Sequence, residues 1–361
     1  MTPARISGLV RVVGAGLLGS SVGLALRKLG IDVVLVDASP ANEKLAIDYG
    51  AGRAAGAADS PEIIIVCVPP DVTAKVVAAE LAAFPKAVVT DVASVKTKIL
   101  GELEVSGADL TRYVGSHPMA GRERGGAIAG RADLFASRPW VITPNAASSQ
   151  HAVRLVEQLA LDLGASPVRL DAQVHDRAVA LVSHVPQLVS SLLAARLADA
   201  DPADVSLAGQ GLRDTTRIAA SDPRLWVQIL SANARPVAAV LNELAQDLTE
   251  VVKALENPDA PGALAAIDSV LQSGNAGVAR IPGKHGGKNT EYAQLVVIIE
   301  DKPGELGRLF NEVGEIGVNI EELKLEHSPS AQVGLVELFV IPSVLAKLTD
   351  QLQQRGWRLA G

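Results

Sequence analysis

Short, continuously apolar runs alternate with stretches of helical periodicity over the first half of the chain. The runs fall at residues 9–13, 32–36, 63–68, 87–90, 113–115 and 140–143. Strands apolar on both faces belong to parallel sheets covered by helices on each side. Their alternation with helices predicts βαβ units in an open, Rossmann-like α/β sheet over residues 8–170. From 171 to 272 the pattern changes. Val179, Val182, Leu188, Leu192 and Leu193 recur at helical spacing, no run reads as a strand, and 199–204 and 220–223 look like breaks between helices. This predicts an all-helical domain. Residues 273–292, rich in Gly, Asn and Lys, read as a linker. The remainder, 293–361, reads strand (294–299), helix (304–313), strand (319–326), strand (334–340), helix (344–355) and a last strand near Trp357. That βαββαβ order is the ferredoxin-like arrangement.

Composition narrows the classes. With 361 residues, 48% hydrophobic and 20% charged, the chain has material for two or three globular domains. A net charge of -7 argues against a general nucleic-acid or membrane-surface binder, which needs basic patches. The single cysteine, Cys67, lies in an apolar run and excludes an intrachain disulfide, which fits a cytoplasmic protein. No signal peptide is expected, because residues 10–13 already read as core. The apolar stretch 178–195 is interrupted by Ser183, His184, Pro186 and Gln187 and is expected to be a buried helix rather than a membrane span.

A glycine fingerprint follows the first strand. Gly14, Gly16 and Gly19, with Leu17 and Leu18 between the last two, form GxGxxG ahead of a helix expected at 20–29. Gly14 permits the tight turn, Gly16 lets a pyrophosphate approach the backbone, and Gly19 lets the helix pack on the strand. The helix N-terminus presents free N–H groups to the phosphates. Asp37 closes the second strand, where its carboxylate would accept from ribose hydroxyls and repel a 2′-phosphate. NAD is therefore expected over NADP. Val68 and Pro69, after the third strand, would wall the cofactor cleft.

Two further strand ends carry polar side chains to the same edge: Ser94 and Lys96 after 87–90, and His117 after 113–115. Hydride loss from an alcohol carbon needs a base for the hydroxyl proton, and histidine is the natural one. Of the six histidines, His151, His285 and His327 sit in surface-like contexts. His175 and His184 lie in the helical segment at a spacing unsuited to a metal, so no metal site is expected. Arg213 and Arg217 stand in a polar stretch of the helical segment and suit an anionic substrate, since guanidinium binds carboxylate bidentately.

The segments GAGLLGSSVGLAL, DVASVK, GSHPMAGRERGG, SHVPQ and DTTRIAASDPRLW occur in this order. Together they resemble the prephenate/arogenate dehydrogenase family of tyrosine biosynthesis over residues 8–272. The resemblance implies that His117 is the histidine contacting the ring hydroxyl and that Ser94 hydrogen-bonds near that hydroxyl and the nicotinamide. It implies that Arg217, helped by Arg213, binds a substrate carboxylate, that Trp226 lies near the dimer contact and active site, and that Glu123 gates the pocket. Gln187 stands where some members carry a second histidine, a departure that bears on substrate choice. The IIEDKPGELGRLF segment resembles an ACT domain, which implies feedback sensing of tyrosine or another aromatic amino acid at the 301–304 turn, or else a dimerisation module with an empty site.

The implied reaction is NAD-dependent oxidative decarboxylation of prephenate. Arogenate dehydrogenase and a non-catalytic NAD or amino-acid sensor are the alternatives. A 3-hydroxyacid dehydrogenase would want a lysine in the helical domain, and residues 151–252 contain none. The helical domain looks too small and apolar to be complete alone, so a homodimer is expected.

Overall fold

A computed structural model of the chain describes residues 4–121, 125–282, 292–327 and 333–360. Glu123 lies outside the described residues. Two compact units are present, Met1–Gln246 and Asp247–Gly361.

The first unit begins β1 (Val10–Val13), α1 (Leu17–Lys28), β2 (Val33–Val36), α2 (Pro40–Asp48), β3 (Arg53–Ala54), β4 (Ile63–Val66) and α3 (Pro70–Ala83). It continues with β5 (Val88–Asp91), α4 (Thr97–Ser106), β6 (Tyr113–Pro118), β7 (Pro139–Thr143), α5 (Gln150–Asp162) and β8 (Ser166–Arg169). The sheet order is β3-β2-β1-β4-β5-β6-β7-β8. The chain reverses direction across the sheet between β1 and β4, which opens a crevice at the carboxyl ends of these strands. Both faces are covered. Ile63 and Ile65 of β4 join one core with Val12, Leu26 and Leu35, while Ile64 and Val66 join the other with Val77, Leu81 and Val89. That is why these strands read as unbroken apolar runs.

Three features differ from the sequence reading. The edge strands β3 and β8 are short and mostly outside the core, so they leave no apolar run to read. The strand at 140–143 runs antiparallel to β6, with His117 opposite Val141. Helix α1 starts at Leu17 rather than at 20.

Helices α6 (Ala172–Val179) and α7 (Val185–Ala195) are joined by a π turn, Ala180–His184. They are followed by α8 (Pro202–Ser206), α9 (Gln210–Thr216), a 3-10 turn Arg217–Ala219, α10 (Pro223–Ala232) and α11 (Ala234–Glu256). This region up to Gln246 belongs to the same compact unit as the sheet, so the expected boundary at 170/171 is not a break between separate bodies. Ile229 and Trp226 of α10 pack into the core beneath β4 and β5. The run Ala172–Ala195 is long and apolar enough to cross a membrane. It is not the buried helix expected, since Leu181, Val182 and Leu192 are each about 60% exposed. The local core is small, built on Ala180, Val185 and Val237, and cannot cover every face of the helix.

In the second unit α12 (Ala263–Val278) runs past 273, so the expected linker begins as helix; residues 283–291 lie outside the described ones. Then come β9 (Ala293–Glu300), α13 (Glu305–Ile316), β10 (Glu322–His327), β11 (Val333–Val340), α14 (Pro342–Gln354) and β12 (Arg358–Ala360). The order β10-β11-β9-β12, antiparallel throughout, is the ferredoxin-like one. Residues of β11 alternate between buried and half-buried, because helices cover one face: Val336 and Leu338 pack with Leu309, Val313, Leu348 and Leu352. A cavity of about 370 Å³ opens at the β9–α13 turn, lined by Glu300, Asp301, Lys302, Gly304, Leu306 and Gly334.

Candidate active site

The glycine turn closes β1 onto α1. Gly14 has φ +105°, and a Cβ there would lie 2.4 Å from the Cys67 carbonyl oxygen. A Cβ on Gly19 would lie 1.9 Å from the Gly14 carbonyl oxygen, so α1 docks only because that position is glycine. Gly16, the N-cap of α1, faces open space, and no side chain caps the helix. Leu17 and Leu18 open its first turn, leaving the N–H groups available to an anion. These features fit a dinucleotide pyrophosphate.

Asp37 has a second task that the sequence did not reveal. One carboxylate oxygen accepts from Ala15 N–H at 2.7 Å and the other from Ser39 N–H at 2.8 Å. The side chain therefore braces the glycine loop, and each oxygen keeps a further lone pair for a ribose hydroxyl. Val68 and Pro69 follow β4, with Pro69 the N-cap of α3.

Ser94, in the turn after β5, and His117, on β6, stand at the carboxyl ends of neighbouring parallel strands. Ser94 is half-buried in the turn after β5. His117 meets a residue that sequence reasoning set aside. Its Nδ1 lies 2.9 Å from Nε2 of His175, and Nδ1 of His175 lies 2.8 Å from Oδ1 of Asp176. His175 and Asp176 are buried on α6. Burial, and then the nearby His175, Lys96 and His184, hold the His117 imidazole well below its ordinary pKa, with Asp176 opposing them. Burial works to raise the Asp176 carboxyl. Hydrogen bonds from His175, Thr97 and Lys96 outweigh it and keep the group below the usual range. Asp176 also accepts from the backbone N–H groups of Lys96 (2.9 Å) and Thr97 (2.8 Å), which begin α4. Behind this array Asn233 donates to the Asp176 carbonyl at 2.7 Å and lies 3.1 Å from His184 Nδ1. Burial draws His184 down to about 4.

Lys96, expected at the edge of the site, lies beneath it with 1% exposure. Its ammonium pairs with Asp91 and donates to the Ser116 carbonyl at 2.7 Å. Tyr113 donates to the other Asp91 oxygen at 2.7 Å. Lys96 is thus a buried strut under His117.

The substrate-side candidates are spread along the helical region. Gln187 is buried on α7 and donates to Ser221 Oγ at 2.8 Å, tying α7 to the turn before α10. Arg213 is exposed on α9, and Arg217, also exposed, opens the 3-10 turn that packs against α7. Trp226 is half-buried, its ring edge-on to His184 at 6.1 Å.

The comparisons with known proteins follow this layout. The prephenate dehydrogenase nucleotide-binding domain matches residues 22–169, and the prephenate dehydrogenase dimerization domain matches residues 171–268. The Streptomyces niveus protein named Probable prephenate dehydrogenase NovF is 36% identical over 353 residues, covering 96% of this chain and 98% of its own length. Cyclohexadienyl dehydrogenase of Zymomonas mobilis is 29% identical over 264 residues, 69% of this chain and 89% of that protein. Among solved structures, Synechocystis arogenate dehydrogenase superposes with a TM-score of 0.62 at 27% identity, covering 75% of this chain and 98% of that one. The glycine turn and the buried histidines fall within regions that match along nearly the whole length of a relative, and the chain belongs to the prephenate dehydrogenase family.

Proposed function

We propose that this chain catalyses the NAD-dependent oxidative decarboxylation of prephenate to 4-hydroxyphenylpyruvate. The observation that carries this is His117, at the carboxyl edge of β6 and hydrogen-bonded to buried His175, in a member of this family. NAD, when bound, accepts the hydride. The α1 N-terminus and Gly16 would face its pyrophosphate, Asp37 its ribose, and Val68 and Pro69 its cleft wall. His117 takes the ring hydroxyl proton as the carbon loses hydride, and Ser94 hydrogen-bonds that hydroxyl. The carbonyl that forms conjugates with the ring, the bond to the ring carboxylate breaks, its electron pair moves through the ring to the carbonyl oxygen, which takes back the proton from His117 as the phenol forms, and carbon dioxide leaves. Aromatisation drives the step, so the protein positions the ring, accepts the proton and binds the anion. Arg217, with Arg213, holds a carboxylate, while Gln187 and Trp226 line the ring.

A second reading is arogenate as substrate. It is favoured by the likeness to an arogenate dehydrogenase. We assign cofactor binding to 8–170, substrate binding and dimerisation to 171–272, and regulation to 293–361. The exposed apolar face of Leu181, Val182 and Leu192 supports a homodimer, and the single cysteine is in keeping with work in the cytoplasm. The C-terminal unit is read as ACT-like. Its cavity at the start of α13, where Gly304 at φ +94° leaves the first N–H groups without a side-chain cap, would take the carboxylate of tyrosine or another aromatic amino acid.

Initial rates of NADH formation with prephenate and with arogenate, each with NAD and NADP, test the reading. Turnover of prephenate with NAD at the higher kcat/KM is expected. No turnover of either ring would overturn it.

A further inference from the structure

His175 and Asp176 have no place in the roles assigned above, yet they form a continuous buried chain to His117. Asp176 is ionised at neutral pH and already accepts from two backbone N–H groups. A carboxylate only accepts, so the 2.8 Å contact requires the proton on Nδ1 of His175. With its proton on Nδ1, His175 presents Nε2 to His117 at 2.9 Å, and we take Nδ1 of His117 as the donor across this contact. His117 is left with Nε2 as its unprotonated atom.

We propose that His175 and Asp176 are positioning residues that hold His117 in the Nδ1–H tautomer, so that Nε2 is the base. The same Asp176 carboxylate binds the first N–H groups of α4, which directly follow the turn carrying Ser94. One buried carboxylate thus sets the orientation of the base and the seat of the Ser94 turn. When Nε2 of His117 takes the substrate proton, the His117 imidazolium keeps its Nδ1–H bond to His175, and the Asp176 carboxylate, acting through His175, offsets the new positive charge without taking a proton itself. The charged and titratable groups facing His117 are His175 and Asp176 from α6, Lys96 from the turn after β5, and His184 from the π turn. Among them only Asp176 favours protonation of His117, so the chain supplies what the rest of the pocket withholds.

This inference rests on His117 acting as the base, and the test separates the two. In the full chain carrying ring-15N-labelled histidine, with His117 assigned from H117N, the nitrogen shifts report the tautomer without any turnover. The wild type is expected to show His117 as Nδ1–H, and H175L as mainly Nε2–H. H175Q, whose amide oxygen can accept from His117 and whose amide nitrogen can donate to Asp176, is expected to keep Nδ1–H. In turnover, H175L is expected to lower kcat on the order of 10²–10⁴-fold, the range for a general base held in the wrong tautomer. Its KM for the ring substrate should hold within about threefold, and H175Q should recover at least about tenfold of the loss. If H175L fails to fold, H175Q against D176L carries the same comparison. His117 as Nε2–H in the wild type, or an H175L variant with wild-type kcat, would overturn the proposal. An inactive wild type with the expected tautomers would instead overturn the proposed reaction and leave the positioning chain standing.

Discussion

Replacing Lys96 with methionine probes the strut under the site. Lys96 and Asp91 are both essentially inaccessible to solvent, and the ammonium bonds to the Asp91 carboxylate and the Ser116 carbonyl. Methionine fills most of the lysine volume, so packing changes little. Asp91 keeps Tyr113 Oη at 2.7 Å and Ala93 N–H at 2.9 Å but loses the Lys96 ammonium. Removing one partner of a buried pair costs about 3–5 kcal/mol, because the other charge stays buried. For a unit of this size each kcal/mol moves Tm by about 2–4 °C, so K96M is expected to melt roughly 10 °C lower. Replacing both charges, as in D91N/K96M, removes the stranded carboxylate and is expected to restore at least half of the loss. Thermal unfolding by circular dichroism at pH 7 reads both. The charge also acts on the base: Lys96 is one of the groups holding His117 low. Without it His117 protonates more readily, so the acid limb of the kcat/KM profile should move to higher pH. A K96M protein melting within about 2 °C of wild type, or a double variant melting below K96M, would refute this account of the pair.

Three other outcomes follow from the geometry. Gly19→Ala should weaken NAD binding, read by calorimetry, and lower Tm, because its Cβ would fall 1.9 Å from the Gly14 carbonyl oxygen and push α1 off the turn. Arg217→Leu should raise the KM for prephenate about 10-fold or more, since a charge-assisted bond contributes about 1.5–3 kcal/mol; an unchanged KM would remove Arg217 from carboxylate binding. His184, held near 4 in the fold against an ordinary value of 6.5, binds its proton more weakly folded than unfolded. Its contribution to stability is therefore full above about pH 6.5 and is lost as pH falls towards 4. Tm measured across that window should drop, and H184N should flatten the drop.

Local pattern decided much of this molecule. The apolar runs fall at β1, β2, β4, β5 and β6 because each is buried on both faces and leaves an unbroken signature. The C-terminal βαββαβ unit is legible because strand and helix periods differ. Gly14, Gly16 and Gly19 declare themselves because turn, approach and docking each exclude a side chain. Pairings across long stretches of chain were left to the tertiary structure. His175 meets His117 across 58 residues, and Asp176 reaches Lys96 across 80, with no periodicity linking them. The fate of Lys96 turned on whether its ammonium found Asp91 beneath the sheet or the open edge above it, and only packing selects between these. The stretch 178–195 read as a buried helix from its composition, but burial needs neighbours, and the small core around Ala180 and Val237 supplies them on part of its surface alone. Sequence records which surfaces avoid water; the folded chain decides which of them meet.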